Sequence, residues 1–147
     1  MKKHFNVSRY KKLLKLQENG EISFLNMELL SLKASVAQQT HYNRKKDYFI
    51  LIGEYLQRII TPNEFRARFL QMGREDSEES ALILRNLEKL ENFNFSKDFD
   101  KFSDSIGKIS TLCFEYYEIW DGTMESMSES KFYCLVNKYY LQLENFK

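Results

Sequence analysis

Apolar residues recur along this chain at alternating steps of three and four, the repeat of one helical face. The longest such series is Phe99, Phe102, Ile106, Ile109, Cys113, Tyr116 and Trp120, which predicts one long helix with a bundle-type seam. Gly107 inside it costs only about 1 kcal/mol. Tyr48, Ile52, Tyr55 and Ile59 predict a buried helix over "DYFILIGEYLQRI", 47–59. A strand over Tyr48–Ile52 is the alternative, but the pattern outruns strand length. Phe132, Leu135, Tyr139, Leu143 and Phe146 form the inward face of a last helix, with Ser128 as its cap.

The only proline stands in "IITPNEFRARFLQM", 59–72. Thr61 is placed as an N-cap, Pro62 takes the first helical position, and Glu64 follows the cap by three. That is the pattern of a capping box, so Pro62 starts a helix here. Phe65, Phe69 and Met72 then share one face. "GREDSEES", 73–80, reads as an acidic loop ending that helix. Ser77 would cap the next one, which turns Leu84, Leu87 and Leu90 inward. "ENFNFSKDF", 91–99, reads as a turn.

Upstream, Ser8 is placed to cap a short helix carrying Tyr10, Leu13, Leu14 and Leu16. "ENGE", 18–21, stops it, with Gly20 just past its end. Ser23 would cap a second helix with Leu25, Leu29, Leu32 and Val36 on one face. "QQTHYNRKK", 38–46, reads as a polar connection or frayed end. The expected fold is all-α: an antiparallel helical bundle over 47–147, with an extra N-terminal helical hairpin over 1–46 as a separate basic extension.

Composition adds that the chain is able to build a core without disulfides, since 43% of it is hydrophobic and 15% aromatic. Cys113 and Cys134 both lie in apolar helical patterns. They are expected as buried free thiols, which fits the cytoplasm or another reducing compartment such as an organelle stroma or matrix. A Cys113–Cys134 bridge is the alternative. No apolar run approaches the roughly 18 residues of a membrane span, so no membrane insertion is expected. "MKKHFNVSRYKK" leads into no apolar core of a secretory signal. A basic amphipathic start also suits an organelle transit peptide, although this one is rich in Lys and not in Ser and Arg.

The search for chemistry finds little. His4 and His41 are the only histidines, distant from one another and without metal-ligand spacing. Without a placed His, a Ser or Cys nucleophile lacks its usual base. No glycine-rich phosphate loop and no CxxC occurs. Glu115 and Glu118 stand at i, i+3, but a di-metal bundle also needs Glu-x-x-His, and none exists. No cofactor, no metal and no enzymatic activity are expected.

Charge is distributed unevenly. Residues 1–46 carry ten Lys/Arg and three Asp/Glu, whereas 47–147 carry twelve and eighteen. In the basic arm, Lys11, Lys12, Lys15, Arg44, Lys45 and Lys46 are candidates for contact with RNA phosphate or an anionic partner. On the body, Glu115, Glu118, Asp121, Glu125 and Glu129 run without an intervening Lys or Arg. Acid at a helix C-terminus opposes the macrodipole, so these five are the candidate contact face for a basic partner.

Residues 47–147 resemble the colicin D immunity protein family, small helical inhibitors of tRNA-cleaving toxins. The resemblance rests on "YLQRIITPNEFRARF", on the acidic "FEYYEIWD", and on the closing "SESKFYCLVNKYYLQL". It implies a cytoplasmic helical bundle that inhibits a toxin by protein–protein interaction, filling the basic active-site groove of a nuclease. Glu115, Glu118 and Asp121 match the family's acidic segment. The first 46 residues have no counterpart in a minimal member, and this chain is near neutral where the family is more acidic. These departures define the alternative: a non-catalytic structural or accessory subunit of a larger assembly, organellar or RNA-containing.

Overall fold

Helix starts are set by short polar side chains that satisfy free backbone N–H groups. The capping box is formed: the Thr61 hydroxyl accepts from the Glu64 N–H at 3.1 Å, and the Glu64 carboxylate accepts from the Thr61 N–H at 3.4 Å. Ser128 likewise accepts from the Lys131 N–H at 3.1 Å. Three other starts are moved. Asn6, Asn26 and Asn86 are the caps, accepting from Arg9 and Leu29 at 3.0 Å each and from Lys89 at 3.2 Å, in place of Ser8, Ser23 and Ser77. Ser23 instead accepts from the Leu25 N–H within the loop. Gly20, with φ of +75°, ends the first helix as expected.

The computed structural model describes residues 3–118 and 127–147. Over them the protein is all-α. The helices are α1 (Val7–Glu18), α2 (Met27–Asn43), α3 (Lys45–Leu56), α4 (Pro62–Leu84), α5 (Leu87–Glu91), α6 (Phe99–Glu118) and α7 (Glu129–Leu143), followed by a 3-10 turn, Glu144–Phe146. Two two-residue strands, β1 (Lys3–His4) and β2 (Asn94–Phe95), pair antiparallel with Lys3 opposite Phe95.

Three stretches differ from the sequence expectation. Residues 38–43 are helical, not a connection, because their polar side chains find partners inside. Gln39 is buried: its amide donates to Asn43 and Ser96, and its carbonyl accepts from the Ser96 N–H at 2.7 Å. Thr40 donates back to the Val36 carbonyl. Residues 73–80 are not a loop either. α4 runs through them with Met72, Asp76, Ser80 and Ile83 inward and Glu75, Glu78 and Glu79 outward. The inward Asp and Ser hid a helical face from a hydrophobicity reading. Finally, Ile59 is exposed, since α3 stops at Leu56 and Arg58 adopts a left-handed φ of +59° that redirects the chain. Leu25 and Leu87 also face solvent rather than the core.

The packing does not divide at residue 46. One core joins α3, α4, α6 and α7, with Tyr48, Phe65, Phe102 and Phe132 fully buried. Tyr55 stacks on Phe65 and Tyr116 on Phe132 at ring distances of 4.7 and 4.6 Å. A second core joins Phe5, Tyr10, Leu13, Leu29 and Val36 to Ile83, Leu90, Phe93 and Phe95. It therefore draws on both sides of the expected boundary. α2 lies against α4 and α6, so the N-terminal segment is part of the packed body.

Candidate interaction surfaces and a buried polar network

Long-helix periodicity delivers the C-terminal end of α6 to the surface. Glu115 is exposed there, and Glu118 is the last residue of the helix. The last turn of α6 holds no basic residue, so both acidic positions fall in the turn at the negative end of the helix dipole. Among the described residues Glu115 makes no ion pair. Asp121 and Glu125 lie outside the described residues, as does Trp120 of the predicted seam.

Glu129 differs from the other acids. It is the first residue of α7, where the dipole favours a carboxylate. Its Oε1 accepts from the Tyr55 hydroxyl at 3.0 Å and lies 3.7 Å from Arg58. Burial, then this carboxylate, raise the Tyr55 pKa well above the usual phenol range. Arg58 lies over the Tyr133 ring at 4.5 Å, and Tyr133 donates to the Leu56 carbonyl. Glu129 thus ties the start of α7 to the end of α3, and a cation does face it.

The six basic candidates also separate. Lys11, Lys12 and Lys15 are exposed on α1, and Lys46 is exposed at the start of α3. None of the four has an ion pair among the described residues. Lys45 donates to the Phe146 carbonyl at 3.0 Å and lies 4.7 Å from the Tyr42 ring centroid. Arg44 stands between α2 and α3 and is committed to carboxylates: Asp76 at 2.9 Å, Asp47 at 3.6 Å and Glu75 at 4.0 Å. Arg44 and Lys45 are therefore engaged within the protein, whereas Lys11, Lys12, Lys15 and Lys46 face solvent.

The Asp76 cluster is an assembly of reactive residue types that the sequence did not announce. The Asp76 side chain is 1% exposed. One oxygen accepts from Arg44, and the other accepts a short bond from the Tyr48 hydroxyl. His41 is close by, its Nε2 3.8 Å from that second oxygen and its Nδ1 2.9 Å from the Ser103 hydroxyl. Ser, His and Asp are thus neighbours, but not wired for nucleophilic catalysis. In that arrangement the carboxylate fixes the imidazole by a hydrogen bond, whereas here Tyr48 and Arg44 hold the carboxylate. Burial lowers the His41 pKa, opposed by the Asp76 charge and aided by the Arg44 charge. Ser103 lies within α6, where its own backbone N–H is spent on the helix. The cluster joins α2, α3, α4 and α6. Its only sequence signal was Asp76 four residues after Met72 on an inward helical face.

Two grooves flank this cluster. One, of about 920 Å³, runs along α6 and the C-terminal turn and is lined mainly by polar side chains such as Gln38, Ser103, Lys108 and Asn145. The other, of about 500 Å³, lies between α4 and α6 with His41, Leu70, Arg74, Ile106 and Phe114 on its walls. No cluster of three or more His, Cys, Asp or Glu able to hold a metal occurs among the described residues. Nor does any helix among them have the length and apolarity to cross a membrane. Both cysteines are free. Cys113 is buried, as expected, and burial pushes its thiol up to about 12. Cys134 is exposed, not buried, because it lies off the Phe132–Val136–Leu143 face of α7.

Compared with protein-family models, curated proteins and solved structures, the chain gave no match.

Proposed function

We propose that this chain is a non-catalytic immunity-type protein that blocks a tRNA-cleaving nuclease by covering its basic groove with the acidic end of α6. The observation that carries this reading is the last turn of α6, where Glu115 and Glu118 stand without any basic residue. That arrangement works against the helix dipole. A carboxylate edge of this kind gains from a cationic partner what it loses in the isolated fold, and it can compete with RNA phosphate for Lys and Arg. The resemblance of 47–147 to the colicin D immunity family supports the same reading, with Asp121 as the third matching position.

The test is a calorimetric titration against a basic nuclease domain encoded beside this chain, using wild type and Glu115→Lys/Glu118→Lys/Asp121→Lys. Charge reversal should leave the thermal midpoint unchanged or slightly raised. It should weaken binding by about 2–5 kcal/mol. Wild-type binding should also fall with added salt. A triple variant that binds as tightly as wild type removes the reading. If Lys11→Glu/Lys12→Glu/Lys15→Glu abolishes binding instead, the accessory-subunit alternative takes its place.

A further inference from the structure

We propose that the connection between α1 and α2, together with the exposed lysines of α1, is a peripheral membrane-binding site that takes an anionic lipid surface. This does not rest on the immunity reading. Between α1 and α2 the chain presents Phe24, Leu25 and Met27 at 65%, 61% and 79% exposure, and Leu30 follows one turn into α2. The loop is built, not slack. The Leu16 carbonyl accepts from the Glu21 N–H at 2.9 Å, the Ser23 carbonyl accepts from the Asn26 N–H at 3.0 Å, and the Ser23 hydroxyl accepts from the Leu25 N–H at 3.1 Å. Ile22 turns inward onto the second core. The loop thus anchors one apolar residue and holds its neighbours outward, at a cost in exposed apolar area that needs an explanation.

Charge selects the occupant. Lys11, Lys12 and Lys15 are exposed and form no ion pair among the described residues. Arg9 forms a two-point bond to Glu28, with both contacts at 2.6 Å. This neutralises the acid next to Met27 in sequence and pins α1 beside the start of α2. Lys12 follows Arg9 by three residues and so stands on the same side of α1. Glu18 and Glu21 remain at the rim and moderate the attraction. Exposed large apolar side chains on the loop that follows a helix carrying unpaired lysines suit a bilayer: the apolar groups enter the headgroup boundary, and the ammonium groups meet lipid phosphate and carboxylate. The grooves on α4 and α6 that would suit a protruding partner do not reach these residues.

The experiment is cosedimentation of the full chain with vesicles of phosphatidylcholine alone and of phosphatidylcholine mixed with phosphatidylserine. The chain should be retained by the anionic vesicles only, and less so as salt rises. Lys11→Gln/Lys12→Gln/Lys15→Gln should lower the partition coefficient on the order of a hundredfold, as each lysine near the surface contributes comparably. Phe24→Ser/Leu25→Ser/Met27→Ser should lower it at least as strongly, with the circular dichroism melt unchanged because these side chains are exposed. No retention on either vesicle, or equal retention on both, overturns the proposal. So does a loss confined to the lysine variant, which would make this a site for soluble polyanions such as RNA.

Discussion

Arg44 and Asp76 meet at 2.9 Å, with the carboxylate side chain 1% exposed and the guanidinium side chain 30% exposed. The two residues are 32 apart in sequence, Arg44 at the α2–α3 junction and Asp76 within α4, and Tyr48 completes the set from the first turn of α3. A carboxylate this deep is tolerable only when its oxygens are matched. Asp76→Ala should therefore destabilise by about 3 kcal/mol, because it strands the buried Tyr48 hydroxyl and takes from Arg44 its nearest carboxylate, leaving only the more distant Asp47 and Glu75. Replacing the set together, as Arg44→Met/Asp76→Leu/Tyr48→Phe, should restore most of that loss, since an apolar substitute for a buried ion pair is often neutral. Urea unfolding of the variants measures both. A loss from Asp76→Ala of no more than a few tenths of a kcal/mol would mean that water replaces the carboxylate.

His41 makes the same cluster sensitive to acid. Its folded-state pKa lies below the ordinary imidazole value, with burial the main cause, Asp76 opposing and Arg44 reinforcing. The unfolded chain then binds the proton more readily, so stability rises with pH through this window. The contribution is complete above the ordinary value of about 6.5 and is lost as pH falls from there towards the lowered native pKa. Thermal midpoints measured from pH 7 downward should drop more for wild type than for His41→Gln, which does not titrate. Parallel curves would assign the acid sensitivity to other groups.

The two thiols should react at different rates. Cys134 is exposed on α7, whereas Cys113 is buried in α6 with its thiol pushed up to about 12. Only a thiolate attacks an alkylating reagent. Iodoacetamide on the native protein should label Cys134 alone, and both cysteines should label in denaturant. Cys134→Ser should abolish native labelling with little effect on stability. Native labelling of Cys113 at a comparable rate would show that α6 opens readily.

Features that rest on neighbours in sequence were readable in advance. The capping box needs only Thr61 and Glu64, and the α6 seam only its own spacing, so Phe102, Ile106, Ile109 and Cys113 are buried as expected. Features that rest on distant partners were not. Asp76 is inward because Arg44 and Tyr48 reach it from 32 and 28 residues away. Gln39 is inward because Ser96 meets it across 57 residues. Polar residues with remote partners look like loop when only hydrophobicity is read. The acidic set was legible as composition, but its division was not: Glu129 pairs with Arg58 and Tyr55, whereas Glu115 stays open to solvent.

Truncation tests whether the chain divides at residue 46. A fragment of 47–147 lacks α2, whose buried Val36, Gln39 and Thr40 face the rest of the body. It also lacks Arg44 and His41, leaving Asp76 with Tyr48 alone, and it uncovers Ile83, Leu90, Phe93 and Phe95 of the second core. Uncovering several large apolar side chains costs about 1.5–3 kcal/mol for each one fully exposed, against a total stability of only about 5–15 kcal/mol for a domain. The fragment should therefore melt without a cooperative transition and aggregate. A fragment of 26–147 keeps α2 with its Asn26 cap, Arg44 and His41, and loses the buried Phe5, Tyr10 and Leu13 together with the half-buried Val7, Leu14, Leu16 and Ile22 from the second core. It should remain monomeric and cooperative with a lowered midpoint. Size-exclusion chromatography and a circular dichroism melt on the two fragments distinguish these outcomes. A cooperative, monomeric 47–147 would show that α2 is dispensable to the bundle, and would restore a boundary at residue 46.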